Sequence, residues 1–314
     1  ISAFACLFII YSLLNNNFLG FCIGLIIIGS TFASMQQYRF AAIESVRVEK
    51  RAQAISVVLI SGIAAAFLGP ELALIGKDWF ETRFVGSFAL MAGTSLFSAL
   101  LLLCFKNIRL AQLDFSNPPR SMCSIVQQLG FWVAIISGSI GFGIMTFVMS
   151  ATPISMHIQN GHSLEMTKIV MQAHIATMFL PSLVTSWIVA RISIEGMMAI
   201  GCIAYLASFA VAYDGHTAIH YITSLSLLGI GWNFLFIGGT LLLPQFYLSN
   251  ERFKVQSLND FSIFTTQAAT SVFAGLAIFN WGWHVMLAIS TIITFLFVIF
   301  LGYYQWRKLK SLSQ

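Results

Sequence analysis

The chain has 314 residues, of which 58% are hydrophobic, 14% aromatic and only 9% charged, with a formal net charge of +5. A soluble domain carries about a quarter charged residues and must cover its surface with polar groups. The composition therefore excludes a soluble enzyme, a nucleic-acid-binding domain, a disordered protein and a disulfide scaffold. It predicts a polytopic membrane protein.

Apolar runs of membrane-spanning length alternate with short polar or charged turns along the chain. A spanning helix needs about 20 mostly apolar residues, and these runs lack the alternation of membrane β-strands. Ten spanning helices are predicted near residues 1–14, 18–41, 54–76, 84–105, 131–155, 166–189, 196–213, 217–244, 257–279 and 282–305. The first run is short and begins at Ile1 without a preceding charged segment, so we expect a truncated N-terminus.

The connection at residues 106–130 is longer than the others and leaves four predicted helices before it and six after it. It carries the pair Pro118-Pro119. Short charged turns precede the third and the ninth predicted helix, and the arginines in them, Arg51 and Arg252, are separated by six helices. This spacing indicates parallel repeats of six helices joined by a long loop, which is one known transporter architecture.

Lysine and arginine are distributed unevenly between the two sides of the predicted membrane. If residues 106–130 are cytoplasmic, twelve basic residues lie on the cytoplasmic side and three on the other. The twelve are Arg47, Lys50, Arg51, Lys106, Arg109, Arg120, Arg191, Arg252, Lys254, Arg307, Lys308 and Lys310, and the three are Lys77, Arg83 and Lys168. This positive-inside bias predicts a cytoplasmic C-terminus and accounts for the net charge without a nucleic-acid partner.

Two local motifs resemble those of the major facilitator superfamily of transporters. Gly62 followed by Gly69-Pro70 in the predicted helix 54–76 resembles the fifth-helix motif of that family, with Glu71 where a glycine is usual. Arg39 lies near the end of the preceding helix, where the family often keeps an arginine. Together with the six-helix repeat, these motifs resemble a family member that lacks its first two helices.

The resemblance implies an all-α, major-facilitator-like fold of two bundles, with ten helices present as four plus six. Residues 1–105 would be the remnant of the N-terminal bundle, corresponding to helices 3–6 of the family, and 106–130 a cytoplasmic linker. Residues 131–305 would form the C-terminal six-helix bundle, and 306–314 a cytoplasmic tail. The implied mechanism is rocking of the two bundles around a site near the membrane midplane.

Polar and aromatic side chains inside the predicted spans are the candidates for binding a solute. Polar groups in a spanning helix cost free energy unless they face water, protein or ligand. The substrate candidates are Trp232, Asn233 and Phe236 on the helix 217–244, Phe264 and Gln267 on the helix 257–279, and His174 and Gln172 on the helix 166–189. For each polar candidate the alternative is a hydrogen bond that only joins two helices.

Three ionisable residues are predicted to act in coupling or gating. Arg39 and Asp260 both lie near predicted cytoplasmic helix ends, where a pair would latch the bundles. Asp260 has the alternative of interacting with the dipole of the first turn of its helix. Glu71 would bind and release a proton if it is desolvated, and is merely interfacial if its helix ends early.

All six histidines lie in the non-cytoplasmic half of the predicted topology. His216 and His220 have the i, i+4 spacing of a helical metal pair, but the HExxH pattern is absent, so we expect interfacial histidines and no metal. The five cysteines are scattered singly, which is typical of small buried hydrophobes. The sequence has no nucleotide-binding loop and no catalytic triad, and we expect no cofactor.

The sequence as a whole predicts a secondary active transporter, not an enzyme, in the bacterial inner membrane. Its partners would be the lipid bilayer, a small organic solute that is neutral or weakly charged and partly planar, and a co-transported proton or ion. Three alternatives stay open: a ten-helix carrier with two inverted five-helix repeats, a transporter fragment without activity, and a membrane-embedded metalloenzyme using His216 and His220.

Overall fold

The computed structural model describes residues 1–35, 38–103 and 120–312, and every regular element in these ranges is helical. The helices are α1 (Ser2–Leu14), α2 (Phe18–Met35), α3 (Tyr38–Glu44), α4 (Arg51–Ile75), α5 (Val85–Leu103), α6 (Met122–Val126), α7 (Leu129–Pro153), α8 (Leu164–Phe179), α9 (Thr185–Asp214), α10 (Ala218–Leu242), α11 (Arg252–Asn280) and α12 (Gly282–Leu312). Most of the predicted linker, residues 106–119, lies outside the described residues.

Seven helical segments of the described chain are long and apolar enough to cross a membrane. They are Val48–Ala73, Val85–Leu103, Leu129–Gln159, Thr185–Asp214, Ala218–Gln245, Arg252–Asn280 and Gly282–Ser311. Two shorter apolar helices cover Ser2–Leu14 and Phe18–Phe32. The prediction of an all-α polytopic membrane protein is confirmed, whereas the count of ten spans as four plus six stays a prediction.

The chain forms two compact units. The first unit contains residues 1–45 and 64–112, and the second contains residues 46–63 and 113–314. Helix α4 therefore contributes its first half to the second unit and its second half to the first. The predicted division into residues 1–105, 106–130 and 131–305 stays a prediction.

In the first unit, α1 packs against both α2 and α5. Ser2 Oγ donates a hydrogen bond to Thr31 Oγ1 across the α1–α2 contact at 2.8 Å. The turn between α4 and α5 is close because Gly76 lies against the backbone of Gly86, where a Cβ on Gly76 would be 2.5 Å from the Gly86 carbonyl carbon. Small residues thus bring these helices together, as is common in membranes.

In the second unit, α10 is the central helix and packs against α7, α8 and α9, while α7 also contacts α11 and α12. Glycines on different sides of α10 allow these contacts. A Cβ on Gly229 would lie 2.8 Å from the His174 carbonyl oxygen of α8, and a side chain on Gly231 would collide with the ring of Tyr205 on α9. The rotation of α10 about its axis is therefore set by small residues.

Two boundaries bear on the sequence predictions. Helix α9 is interrupted at Ser193, whose φ of 73° and ψ of 167° are not helical. The break falls in the charged turn predicted between the spans 166–189 and 196–213. Helix α11 begins at Arg252, five residues before the predicted start, so Asp260 lies more than two turns inside it. The interpretation of Asp260 as a first-turn residue is therefore wrong.

Candidate functional site

Five aromatic rings from four helices of the second unit form a connected group, which we call the aromatic cluster: Phe142, Phe179, Trp232, Phe236 and Phe264. The Phe142 ring meets those of Trp232, Phe236 and Phe264 edge-on, with centroid distances of 5.1, 5.0 and 5.8 Å. Trp232 stacks on Phe236 at 5.1 Å and meets Phe179 at 5.8 Å. These edge-on and stacked contacts are the arrangements that aromatic rings favour.

The cluster forms because glycines bring α7 close to its neighbours. A Cβ on Gly141 would be 3.3 Å from Leu235 Cβ on α10, and one on Gly143 would be 2.8 Å from Thr266 Cγ2 on α11. Phe142 lies between these two glycines and therefore projects between α10 and α11. On α10, Trp232 and Phe236 are one helical turn apart, so they present their rings on the same side.

The Trp232 side chain carries an unpaired polar atom within this apolar cluster. The residue is 3% exposed, and its indole Nε1 has no hydrogen-bond partner among the residues that the structure describes. A buried indole N–H normally has an acceptor, because leaving a buried donor unpaired costs about 1–3 kcal/mol. The N–H is thus available to an acceptor that is not part of the described chain.

The Asn233 side chain forms hydrogen bonds with the end of α8. Its Nδ2 donates to the Met178 carbonyl at 2.6 Å and to Ser182 Oγ at 2.8 Å. Its Oδ1 is buried and accepts no hydrogen bond from the described residues. The amide therefore joins α10 to the end of α8, and any role of Asn233 in binding a substrate stays a prediction.

His174 is fully buried between α8 and α10. Its Nδ1 lies 2.7 Å from the Leu225 carbonyl oxygen, and because a carbonyl only accepts, Nδ1 carries the hydrogen. Nε2 is then an acceptor, and no donor of the described chain reaches it. Gln172, two residues earlier, is half-buried and lies on a different side of α8. The structure places neither side chain in the aromatic cluster.

On α11, Gln267 follows Phe264 by one turn and is half-buried. It shares a helix face with the aromatic ring that contacts Phe142. Asp260 is buried one turn before Phe264, and its Oδ1 accepts a hydrogen bond from Asn259 Nδ2 at 3.0 Å. The structure thus brings together Trp232, Phe236 and Phe264 of the predicted substrate residues, with Gln267 on an adjacent turn.

Two predicted coupling residues belong to the first unit. Arg39 is buried, and its guanidinium carbon lies 4.6 Å from the centre of the Phe40 ring. Glu71 is exposed and lies four residues before α4 ends at Ile75. The coupling or gating roles of Arg39, Glu71 and Asp260 stay predictions.

Sequence reasoning missed four residues that the structure brings to this site: Ser139, Phe142, Thr146 and Phe179. The hydroxyl oxygens of Ser139 and Thr146 are buried and have no hydrogen-bond partner among the described residues. Ser139, Phe142 and Thr146 follow the i, i+3, i+7 spacing of one face of α7. That spacing was the available signal, but a lone phenylalanine among 29 in this chain carries little information.

Ion pairs hold one end of the second unit together. We call this the charged end and define it by Arg120, Glu195, Glu251 and Lys308. Glu251 Oε1 accepts from the Arg120 backbone N and Nε at 2.8 and 2.9 Å, and its Oε2 accepts from Arg120 Nη2 and the Leu248 N, each at 2.8 Å. The Arg120 guanidinium lowers the pKa of Glu251 to about 2. Lys308 Nζ lies 2.6 Å from Glu195 Oε1.

Five histidines lie around the buried Tyr221 at the opposite end of the second unit. We call this the histidine end and define it by His157, His162, His216, His220, His284 and Tyr221. The Tyr221 hydroxyl lies 2.7 Å from Ser155 Oγ and 3.3 Å from both Asn160 Nδ2 and His216 Nδ1. Burial first, and then the neighbouring His284, His220 and His162, lower the pKa of His216. Within the described residues, no three His, Cys, Asp or Glu side chains group as a metal site requires.

No protein-family model matches the chain. The chain is 34% identical over 271 residues to the riboflavin transporter RfnT of Brucella anthropi, covering 85% of this chain and 68% of RfnT. It is 28% identical over 307 residues to YdeG and 26% over 321 residues to YddS, both uncharacterized MFS-type transporters of Bacillus subtilis strain 168. These alignments cover 92% and 96% of this chain and 71% and 73% of the two relatives.

An all-helical fold with several spanning helices and relatives of this kind define an integral membrane transporter. The chain belongs to the major facilitator superfamily (MFS). The resemblance found in the sequence motifs is therefore confirmed at the level of the superfamily. Its relatives are transporters and not enzymes, which supports the prediction that the chain transports a small solute across a membrane.

Proposed function

We propose that the chain is a secondary active transporter of a flavin of the riboflavin class. The observation that carries this proposal is the aromatic cluster with its unpaired Trp232 N–H, in a chain 34% identical to a riboflavin transporter. A flavin ring system is planar with apolar faces, and its edge carries carbonyl oxygens and ring nitrogens that accept hydrogen bonds. Such a ligand matches both the apolar rings and the free indole donor.

In this proposal Trp232 donates its N–H to an acceptor on the ring edge, while Phe236 and Phe264 contact the ring faces. Gln267 offers an amide that both donates and accepts, which suits the imide edge of a flavin. Asn233, His174 and Gln172 lie outside the aromatic cluster, and in this proposal they bind polar groups of the ligand beyond its ring. Sites of this type are mainly apolar, with a few polar groups that fix orientation.

The proposed mechanism is alternating access by rocking of two helical bundles in the bacterial inner membrane, with ten spans as four plus six. The C-terminus would be cytoplasmic, following the positive-inside distribution of basic residues. A proton or another ion is the proposed co-substrate, with Glu71 binding the proton and Arg39 and Asp260 acting in gating. An ion gradient would then drive accumulation of the solute.

The proposal is tested by expressing the chain in a riboflavin-auxotrophic bacterium without its own uptake system, and by titrating purified protein with riboflavin while following flavin fluorescence. We expect growth at low riboflavin and saturable quenching. Trp232→Phe keeps an aromatic ring but loses the N–H, and should weaken binding about tenfold, the effect of one well-formed hydrogen bond.

Trp306→Phe is the matched control, because Trp306 is exposed near the end of α12 and should leave riboflavin binding unchanged. Protein that reaches the membrane but neither binds nor accumulates riboflavin would overturn the flavin proposal. Binding without accumulation in sealed vesicles would instead favour a chain without transport activity.

A further inference from the structure

Serine and threonine hydroxyls in helices normally return a hydrogen bond to a carbonyl one turn earlier. The second unit follows this rule at Thr152, which donates to the Val148 carbonyl at 2.9 Å, and at Thr240, which donates to the Phe236 carbonyl at 2.9 Å. Ser139 and Thr146 on α7 depart from it. Their hydroxyl oxygens are buried without any hydrogen-bond partner in the described chain.

The two hydroxyls share the face of α7 that carries Phe142, which projects between α10 and α11. Gly141 packs against α10, and Gly143 packs against α11. Ile144 and Phe147 line a cavity of about 220 Å³ together with Ser290 and Ile293 of α12 and residues of α11. By the 100° rotation per residue of a helix, Ser139, Phe142 and Thr146 lie on the side of α7 that faces away from α12.

Along this face the hydroxyls lie on either side of the aromatic cluster. The rise of an α-helix puts Ser139 about 4.5 Å and Thr146 about 6 Å from Phe142 along the axis, in opposite directions. Thr146 is 5% exposed, and Phe142, one turn before it on α7, is 6% exposed. One unpaired hydroxyl therefore lies within about one helical turn of Phe142 in each direction along α7.

We propose that Ser139 and Thr146 bind the polyol chain of the ligand and make the transporter selective for flavins that carry one. This inference rests on the proposed function and deepens it. A polyol suits the two hydroxyls because each of its oxygens both donates and accepts hydrogen bonds. The Trp232 N–H, by contrast, is a donor alone and takes an acceptor on the ring.

The test compares riboflavin with lumiflavin, which has the same ring system but a methyl group in place of the ribityl chain. Thr146→Val preserves the shape of the side chain and removes the hydroxyl, and Ser139→Ala does the same on the other side of Phe142. We expect each change to weaken riboflavin binding about five- to tenfold and to leave lumiflavin binding within about twofold. The preference for riboflavin over lumiflavin should shrink accordingly.

Thr152→Val is the matched control, because Thr152 lies on the same helix but already donates to Val148. It should alter the affinity for neither flavin. Removal of an unpaired buried hydroxyl should also leave the thermal unfolding midpoint unchanged or raise it. A lower unfolding midpoint for Thr146→Val would indicate a structural role for that hydroxyl and would overturn the inference. The unfolding midpoint of Ser139→Ala is an independent second test.

The outcomes separate the two proposals. If the unsubstituted chain binds neither flavin, the proposed function is wrong. If it binds both flavins and the variants weaken both equally, or weaken neither, the flavin proposal stands and the polyol assignment is wrong. Only a selective loss of riboflavin binding in Thr146→Val or Ser139→Ala supports the assignment.

Discussion

The charged end and the histidine end of the second unit are stabilised by different chemistry. Helices α7 and α11 begin near the charged end, where Arg120 and Glu251 make three side-chain and backbone hydrogen bonds of 2.8–2.9 Å. They end near the histidine end, where Tyr221 and the histidines are joined mainly by neutral hydrogen bonds and ring contacts. Ion pairs thus hold one end, and hydrogen bonds and ring contacts among histidines and Tyr221 hold the other.

The difference matters because the two kinds of group respond to different conditions. The lowered pKa of Glu251, about 2 against 4.5 when unpaired, means that its contribution to stability is complete above pH 4.5 and is lost only as the pH falls toward 2. His216 also has a lowered pKa, and its ordinary value is 6.5. Below that pH the unfolded chain binds a proton at His216 more readily than the folded chain does, so the free energy of unfolding decreases. Of these two groups, only His216 changes stability in mild acid.

The largest effect is expected at the charged end. Arg120→Ala leaves the Glu251 carboxylate, which is 2% exposed, with only backbone donors. Removal of one partner of a buried ion pair costs about 3–5 kcal/mol, and because the Arg120 side chain is 39% exposed we expect the lower limit, about 3 kcal/mol. The measurement is the thermal unfolding of the purified protein in detergent at pH 7.5.

The control is Arg83→Ala in the first unit, where Arg83 and Asp78 are 3.6 Å apart with side chains 72% and 68% exposed. An exposed pair of this kind is worth less than about 1 kcal/mol. Equal, small effects of the two substitutions would contradict the view that the Arg120–Glu251 pair holds the charged end.

A smaller loss is expected from removing the hydroxyl at the centre of the histidine end. Tyr221→Phe keeps the ring contacts with His162 and Trp283 but loses the hydrogen bonds to Ser155 and Asn160. The expected cost is about 1–2 kcal/mol, measured by the same unfolding experiment. Tyr213→Phe is the control, because this exposed tyrosine should contribute less than about 0.5 kcal/mol.

The two ends also show how far sequence reasoning reaches. Spanning helices can be predicted because the thickness of the hydrocarbon core requires long apolar runs. The partner of Glu251 cannot, because Arg120 is 131 residues away in the chain and no local pattern links them. The histidines were predicted to lie on one side, but their grouping around Tyr221 depends on how three interhelical connections meet.

The candidate site was predictable to a similar degree. The sequence named Trp232, Phe236 and Phe264 as substrate candidates, and the structure joins all three through Phe142. Spacing alone could not tell that Asn233 donates to Met178, because the rotation of α10 depends on close contacts at Gly229. Nor could it reveal that Thr146 lacks the usual bond to its own helix, which is a matter of side-chain rotamer.

The smallest effect concerns pH and distinguishes the two ends most directly. As the pH falls below 6.5, the unfolded chain takes up a proton at His216 that the folded chain resists, so stability decreases. The groups facing His216 are His162, His220, His284 and the Tyr221 hydroxyl, and Asp214 lies 3.7 Å from His220.

We therefore expect the thermal unfolding midpoint to be lower at pH 5.5 than at pH 7.5. The decrease should be smaller than the one caused by Tyr221→Phe, and His216→Gln should reduce it. Arg120→Ala should not remove this difference, because the paired Glu251 has its lowered pKa at about 2, well outside this range. If Arg120→Ala removed the pH dependence and His216→Gln preserved it, the assignment of acid sensitivity to the histidine end would be reversed.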